Sequence, residues 1–115
     1  MRHVDDEGII ALEELRQMAA ESFGDLVKAV VDVDRECMLV DAEWHADQEA
    51  ELLGSGSRQE SLWGINLYPS LGEEDWIEFD TMINLRPSIG NTSRSVDDPQ
   101  TRDRIRSLVE RWVRR

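Results

Sequence analysis

Several polar side chains that could bind a ligand or transfer a proton fall on one face of a predicted sheet. Lys28 and Asp32 lie on one predicted strand, Asn66 on another, and Asn84 and Arg86 on a third. Buried residues of these types need polar partners and are disfavoured in strands, so their occurrence on one face indicates a polar network or the floor of a ligand site. A solvated outer face of an antiparallel sheet explains the pattern equally well.

The segment from His45 to Asp47, followed by Glu49, is a second candidate. Imidazole and carboxylate groups can ligate a divalent metal or pass a proton. The chain contains only one other histidine, His3, which excludes a three-histidine zinc site. We favour the structural interpretation, in which Asp47 caps a short helix and His45 is a surface or hydrogen-bonded residue. We therefore expect no metal and no cofactor.

A third candidate lies in the loop before the last predicted helix, where Asn91 and Arg94 follow Arg86. Guanidinium groups and amide donors near a helix start could hold an anion. Asparagine is also an ordinary loop residue, and Arg94 could pair with one of the many carboxylates. We favour this structural role for the loop.

The charge balance restricts the classes of partner. The chain has 115 residues, with 13 lysines and arginines against 25 aspartates and glutamates, and a formal net charge of −12. Such a surface repels phosphate backbones and anionic membranes, so we expect no nucleic-acid or membrane binding. A cationic partner or self-association fits better. One local exception is a cluster of arginines at the end of the chain: Arg102, Arg104, Arg106, Arg111, Arg114 and Arg115.

Cysteine content and apolar patterning indicate the compartment. Cys37 is the only cysteine, which excludes an intramolecular disulfide, and we expect it to be a buried structural thiol. No stretch resembles a signal peptide or a membrane span. We expect one cytoplasmic domain that covers residues 1–115.

The periodicity of apolar residues predicts three helices and four strands. A helix from Leu12 to Phe23 ends at Gly24, a short helix covers residues 48–53, and Asp98 caps a final helix that starts at Pro99. Alternating residues predict strands at 26–34, 37–44, 62–68 and 76–86. The order α-β-β-(short α)-β-β-α predicts an α+β fold: a four-stranded, largely antiparallel sheet with two long helices on one face. The pattern does not determine the order of strands in the sheet.

The chain resembles a family of small prokaryotic proteins catalogued only as a domain of unknown function. The likeness rests on His-Ala-Asp at 45–47, Leu-Trp-Gly-Ile-Asn-Leu-Tyr-Pro at 62–69, Ile-Asn-Leu-Arg-Pro at 83–87 and Asn-Thr-Ser-Arg at 91–94. Lys-Ala-Val-Val-Asp at 28–32 fits the same family. The resemblance implies a prokaryotic cytosolic origin and brings no activity, cofactor or substrate.

Two functions of different classes are consistent with these features. The first is a protein-interaction module, expected to be a homo-oligomer, that uses the uncovered polar sheet face or a strand edge. The second is a small-molecule-binding protein or enzyme whose pocket combines the lysine, aspartate, histidine, asparagine and arginine candidates above.

Overall fold

A computed structural model describes residues 1–115 and shows an α+β fold. The helices are α1 (Leu12–Glu21), α2 (His45–Gly54) and α3 (Pro99–Trp112). The strands are β1 (Arg2–Val4), β2 (Ile10–Ala11), β3 (Val27–Asp32), β4 (Cys37–Val40), β5 (Leu62–Leu67), β6 (Ile77–Glu78) and β7 (Val113–Arg114). None of the helices combines the length and the apolar composition that are needed to cross a bilayer.

The main sheet has five strands in the order β1-β4-β3-β5-β6, and every neighbouring pair is antiparallel. The two predicted hairpins, β3–β4 and β5–β6, are both present, and β3 joins them by pairing with β5. The edge strand β1 and the small parallel pair β2–β7 were not predicted, because strands of two or three residues carry no periodicity.

The two long helices cover one face of the sheet, as predicted. The larger core contains Leu15 of α1 and Leu108 of α3 packed with alternate residues of β3 and β5, such as Val31 and Ile65. Gly24 has a φ of +96° and its backbone N–H donates to Ala19 at the end of α1. These apolar contacts account for the helical stripes in the sequence.

The opposite face was expected to be open and polar, and that expectation is wrong. Helix α2 and the turn at residues 82–84 cover it, and Leu52 of α2 packs on Val30, Leu39 and Leu62 in a second, smaller core. Cys37 belongs to this core and is buried, as predicted. Burial raises the pKa of its thiol. The sheet therefore has no uncovered face for a partner.

The predicted fourth strand is correct only at its start. After β6 ends at Glu78, residues 82–84 and 87–89 form short 3-10 turns. The chain leaves the sheet edge here and passes over β5 at Gly64, where a Cβ atom would come within 2.3 Å of the Thr81 Cγ2 atom. Because glycine has no side chain, the segment can lie directly on the strand.

The arginines of α3 do not form a free basic strip. Arg104 pairs with Glu36, Arg111 pairs with Asp6 and Glu36, and Arg102 donates to a backbone carbonyl. Acidic neighbours thus offset much of the positive charge that the sequence concentrates in this helix.

Candidate functional site

A cavity of about 360 Å³ opens between the start of α2, the strands β3, β5 and β6, and the segment after β6. It brings together four of the predicted site residues, namely Lys28, His45, Asn66 and Arg94. The other polar lining residues are Tyr68, Glu78, Asp80 and Thr81, and the apolar ones include Trp44 and Met82. Side chains that are far apart in the sequence, from Leu26 to Arg94, therefore meet in one depression.

His45 is the first residue of α2 and is buried, with 7% of its surface exposed. Its Nε2 atom lies 2.8 Å from the carbonyl oxygen of Ile65. A carbonyl can only accept, so Nε2 carries the proton and Nδ1 holds the lone pair in the neutral ring. Burial has the largest effect on the pKa of His45 and lowers it, which outweighs the hydrogen bond to the Ile65 carbonyl that raises it. The charge of Lys28 lowers the pKa further, against smaller raising effects of Asp80 and Asn66. The imidazole is therefore held in its neutral form.

Asn66, on β5, is also 7% exposed. Its Nδ2 donates to the Glu78 carboxylate at 2.8 Å and to the Asp80 backbone carbonyl at 3.1 Å. Both partners are acceptors, which fixes the orientation of the amide. The Oδ1 atom is buried and accepts no hydrogen bond. Tyr68 donates to the same Glu78 oxygen, which orders the carboxylate beside the cavity.

Lys28, on β3, projects toward the start of α2. Its Nζ donates to the Glu43 carbonyl at 2.9 Å and lies 4.7 Å from the Phe23 ring centre and 5.1 Å from that of Trp44. Cation–π contacts of this kind hold an ammonium group in place without neutralising its charge.

Helix α2 begins at the cavity without a side-chain cap. Its N-cap residue is Trp44, which makes no capping hydrogen bond, and the structure shows no acceptor for the backbone N–H groups of His45 and Ala46. All three residues line the cavity. The predicted cap, Asp47, is instead an exposed residue of the first turn, because the helix starts before it. Free N–H groups at a helix start favour an anionic group.

At the outer side of the cavity, Arg94 donates from Nε to the Asp80 carboxylate at 2.8 Å. This confirms the predicted ion pair for Arg94. Trp44 and Met82 are each 60% exposed and give this opening an apolar rim.

The remaining predicted residues lie outside the cavity and support the backbone. Asp32 is fully buried, and its carboxylate accepts from Ser57 and from the backbone N–H groups of Asp34 and Arg35. The side chain of Asn84 is buried against Gly64. Asn84 and Arg86 therefore do not lie on an open strand face, and Arg86 is not part of the site with His45.

Arg86 and Asn91 also have structural roles. The guanidinium of Arg86 donates to the carbonyls of Gln59 and Leu62 and stacks on Trp63 at 4.4 Å. The Nδ2 group of Asn91 shares its two hydrogens among the backbone carbonyls of Asn84, Ser93 and Ser95, which ties the loop to the turn at residues 82–84. In that loop the Asp97 carboxylate accepts hydrogen bonds from the Thr92 backbone N–H and the Ser93 hydroxyl. No group of three or more histidine, cysteine, aspartate or glutamate side chains is arranged to hold a metal ion.

Four residues that line the cavity were not predicted as site residues, namely Trp44, Tyr68, Glu78 and Asp80. Glu78 and Asp80 lie in the predicted strand 76–86, where alternate polar residues are typical of a solvated face. Trp44 and Tyr68 had been assigned to strands, where aromatic residues usually pack in a core or interface.

Comparison with known proteins gives a family and nothing more specific. Neither the curated proteins nor the solved structures contain a significant match to this chain. Residues 7–112 match the sequence model of a family described as "Protein of unknown function (DUF5674)", which agrees with the resemblance noted from the sequence motifs. Since this match covers most of the chain, the protein belongs to the DUF5674 family.

Proposed function

We propose that this protein binds a small polar molecule in the cavity at the start of α2. The observation that carries the proposal is the start of α2, where the backbone N–H groups of two cavity-lining residues, His45 and Ala46, have no acceptor in the protein. An acceptor group on a ligand in the cavity would satisfy these donors.

The cavity has the size and lining of a site for small metabolites. Its volume of about 360 Å³ is near the lower end of the usual range for ligand pockets. Apolar residues such as Trp44 and Ile83 provide contact area, while Lys28, Glu78 and Arg94 provide charges of both signs. Such a combination can fix the orientation of a ligand as well as hold it.

Amide chemical-shift mapping of the ¹⁵N-labelled protein tests the proposal. Free amino acids, monosaccharides and nucleosides are added in separate mixtures at millimolar concentration. We expect at least one mixture to shift the signals of Lys28, His45, Asn66 and Thr81 together. No shift with any mixture, or shifts confined to other surfaces, would contradict the proposal.

A matched pair of variants links the shifts to the cavity. Ala46 is exposed and lines the cavity, whereas Ala50 is exposed on the same helix and does not. Ala46→Trp should fill the space and abolish the shifts, and Ala50→Trp should leave them unchanged. If the ligand-induced shifts are the same in both variants, the ligand binds outside the cavity.

Self-association is a second candidate function. The sheet face that was expected to form the interface is covered. Self-association is supported instead by Leu85 and Ile89, two exposed apolar side chains in one short segment. Exposed apolar groups that occur together often mark an interface. Sedimentation at increasing concentration should show dimers that the double variant Leu85→Gln/Ile89→Gln loses, whereas the control Leu71→Gln, at another exposed leucine, retains them. A wild-type monomer at all concentrations would contradict this.

A further inference from the structure

Resting on the proposed binding function, we further propose that the ligand is a zwitterion of the α-amino-acid type with an apolar side chain. Its carboxylate would lie at the uncapped start of α2 beside Lys28, and its ammonium group would lie against Glu78 and Asp80. The two poles of the cavity carry this inference independently, one through unused donors and the other through unused acceptors.

The donor pole consists of the start of α2 and the Lys28 ammonium group. The backbone N–H groups of His45 and Ala46 donate to nothing in the protein, and the positive end of the ten-residue helix lies at this point. Lys28 uses one hydrogen bond, to the Glu43 carbonyl, and contacts two aromatic rings, so it keeps its charge. A ligand carboxylate satisfies these donors in the way a capping aspartate would.

The acceptor pole consists of the carboxylates of Glu78 and Asp80. Only one oxygen of Glu78 accepts protein hydrogen bonds, and only one oxygen of Asp80 pairs with Arg94. An ammonium group has three donors and no acceptor, which matches this set. The acidic charge of the whole chain also favours a cationic group.

The rim accounts for the third part of the ligand. Trp44 and Met82 border the cavity and are each 60% exposed. An aliphatic ligand side chain that projects between them would remove apolar surface from water. Leucine carries the required carboxylate, ammonium group and aliphatic side chain and is therefore a suitable probe.

Three probes with the same side chain separate the contributions of the two charges. L-leucine has both charges, leucinamide lacks the carboxylate, and N-acetyl-L-leucine lacks the ammonium group. Hydrogen bonds between charged groups contribute enough that we expect each singly charged probe to bind about tenfold more weakly than leucine, or worse. Affinities are obtained by amide chemical-shift titration of the wild-type protein.

Two charge-neutralising variants assign each pole. Lys28→Gln should weaken binding of leucine and leave that of leucinamide unchanged, because leucinamide has no carboxylate. Glu78→Gln should weaken binding of leucine and leave that of N-acetyl-leucine unchanged. Arg58→Gln and Glu60→Gln are matched controls, since Arg58 and Glu60 form an exposed ion pair outside the cavity. Amide spectra of all variants verify that they fold.

The outcomes separate this inference from the proposal on which it rests. Binding of either singly charged probe as tightly as leucine would overturn the zwitterion. The zwitterion would also be wrong if only the monosaccharide or nucleoside mixture shifted the cavity signals, although the proposed binding site would then be retained. If no probe or mixture shifts the cavity signals, both proposals fail.

Discussion

The side chain of Asn84 hydrogen-bonds both backbone polar groups of Gly64. The Oδ1 atom of Asn84 accepts from the Gly64 N–H at 2.8 Å, and its Nδ2 donates to the Gly64 carbonyl at 3.0 Å. A neighbouring antiparallel strand would make the same two bonds. Since β6 ends at Glu78, the amide closes the edge of β5 that the strand leaves open.

Replacement of Asn84 by alanine should therefore destabilise the protein strongly. The change leaves two buried backbone groups without partners, and each such group costs about 1–3 kcal/mol. We expect the free energy of unfolding, measured by urea denaturation, to fall by at least about 2 kcal/mol. Ser88→Ala, at an exposed position in the following turn, is the control. A similar small change in both variants would show that the edge does not depend on Asn84.

The close approach of Thr81 to Gly64 gives a second prediction. A methyl group at position 64 would lie 2.3 Å from the Thr81 Cγ2 atom, so Gly64→Ala should destabilise the fold by about 1–3 kcal/mol through overpacking. Thr81→Ser removes that Cγ2 atom, and the double variant should recover part of the loss. The measurement is urea denaturation of both variants.

Gly54 supplies the control for this test. It is the last residue of α2, and nothing lies within 4 Å of the position that a Cβ atom would occupy there. Gly54→Ala should therefore leave the stability unchanged or raise it slightly. If Gly64→Ala is equally harmless, segment 81–83 is not packed directly on β5.

The contact between segment 81–84 and Gly64 explains why the fold could be predicted only in part. The helices α1 and α3 and the strands β3, β4 and β5 have regular apolar periods, and each was recognised. Polar and apolar residues also alternate in segment 79–86. The path of this segment is nevertheless determined by the Asn84 side chain and by the absence of a side chain at Gly64. Such a contact between residues distant in the sequence leaves no local period to detect.

Half of the polar residues that line the cavity were predicted from the sequence. Lys28 and Asn66 were correctly placed on one face, and they share it because they are directly opposite each other on the paired strands β3 and β5. The packing of α2 and of the loop before α3 that brings His45 and Arg94 to them could not be inferred from spacing. Asp32 was misassigned as a ligand residue because a buried carboxylate that anchors a turn has the same sequence signature as a ligand group.

The buried His45 gives a pH-dependent prediction. Its pKa is lowered in the folded state, mainly by burial, below the ordinary value of about 6.5 that it has when unfolded. The unfolded state therefore binds a proton more readily as the pH falls. The contribution of neutral His45 to stability should be complete above about pH 6.5 and should decrease as the pH drops from there to the folded pKa.

Comparison with His45→Gln isolates this contribution from other titrating groups. The difference in the free energy of unfolding between wild type and variant should shrink from pH 7.5 to lower pH, as followed by urea denaturation. His3→Gln removes a histidine whose side chain is 52% exposed and provides the control. If the difference in the free energy of unfolding between wild type and His45→Gln is constant with pH, or becomes larger in acid, His45 is not buried in its neutral form.

The buried pair of Asp32 and Ser57 should anchor the glycine- and serine-rich loop. Ser57 is buried, and its Oγ donates to the Asp32 carboxylate at 2.6 Å and accepts from Arg35 at 2.9 Å. Ser57→Ala should cost about 1 kcal/mol in stability, because it removes the hydrogen bond while Asp32 keeps its two backbone donors.

This loss should be local, and hydrogen exchange can show where it occurs. We expect Ser57→Ala to speed amide exchange in residues 54–58 by about fivefold or more, since loss of the bond favours local opening of the loop. Ser55 lies in the same loop and its Oγ does not contact Asp32, so Ser55→Ala should have a smaller effect. Equal exchange rates in the two variants would mean that the buried carboxylate does not hold the loop. Unchanged exchange in β3 would show that the strand itself does not need the Ser57 contact.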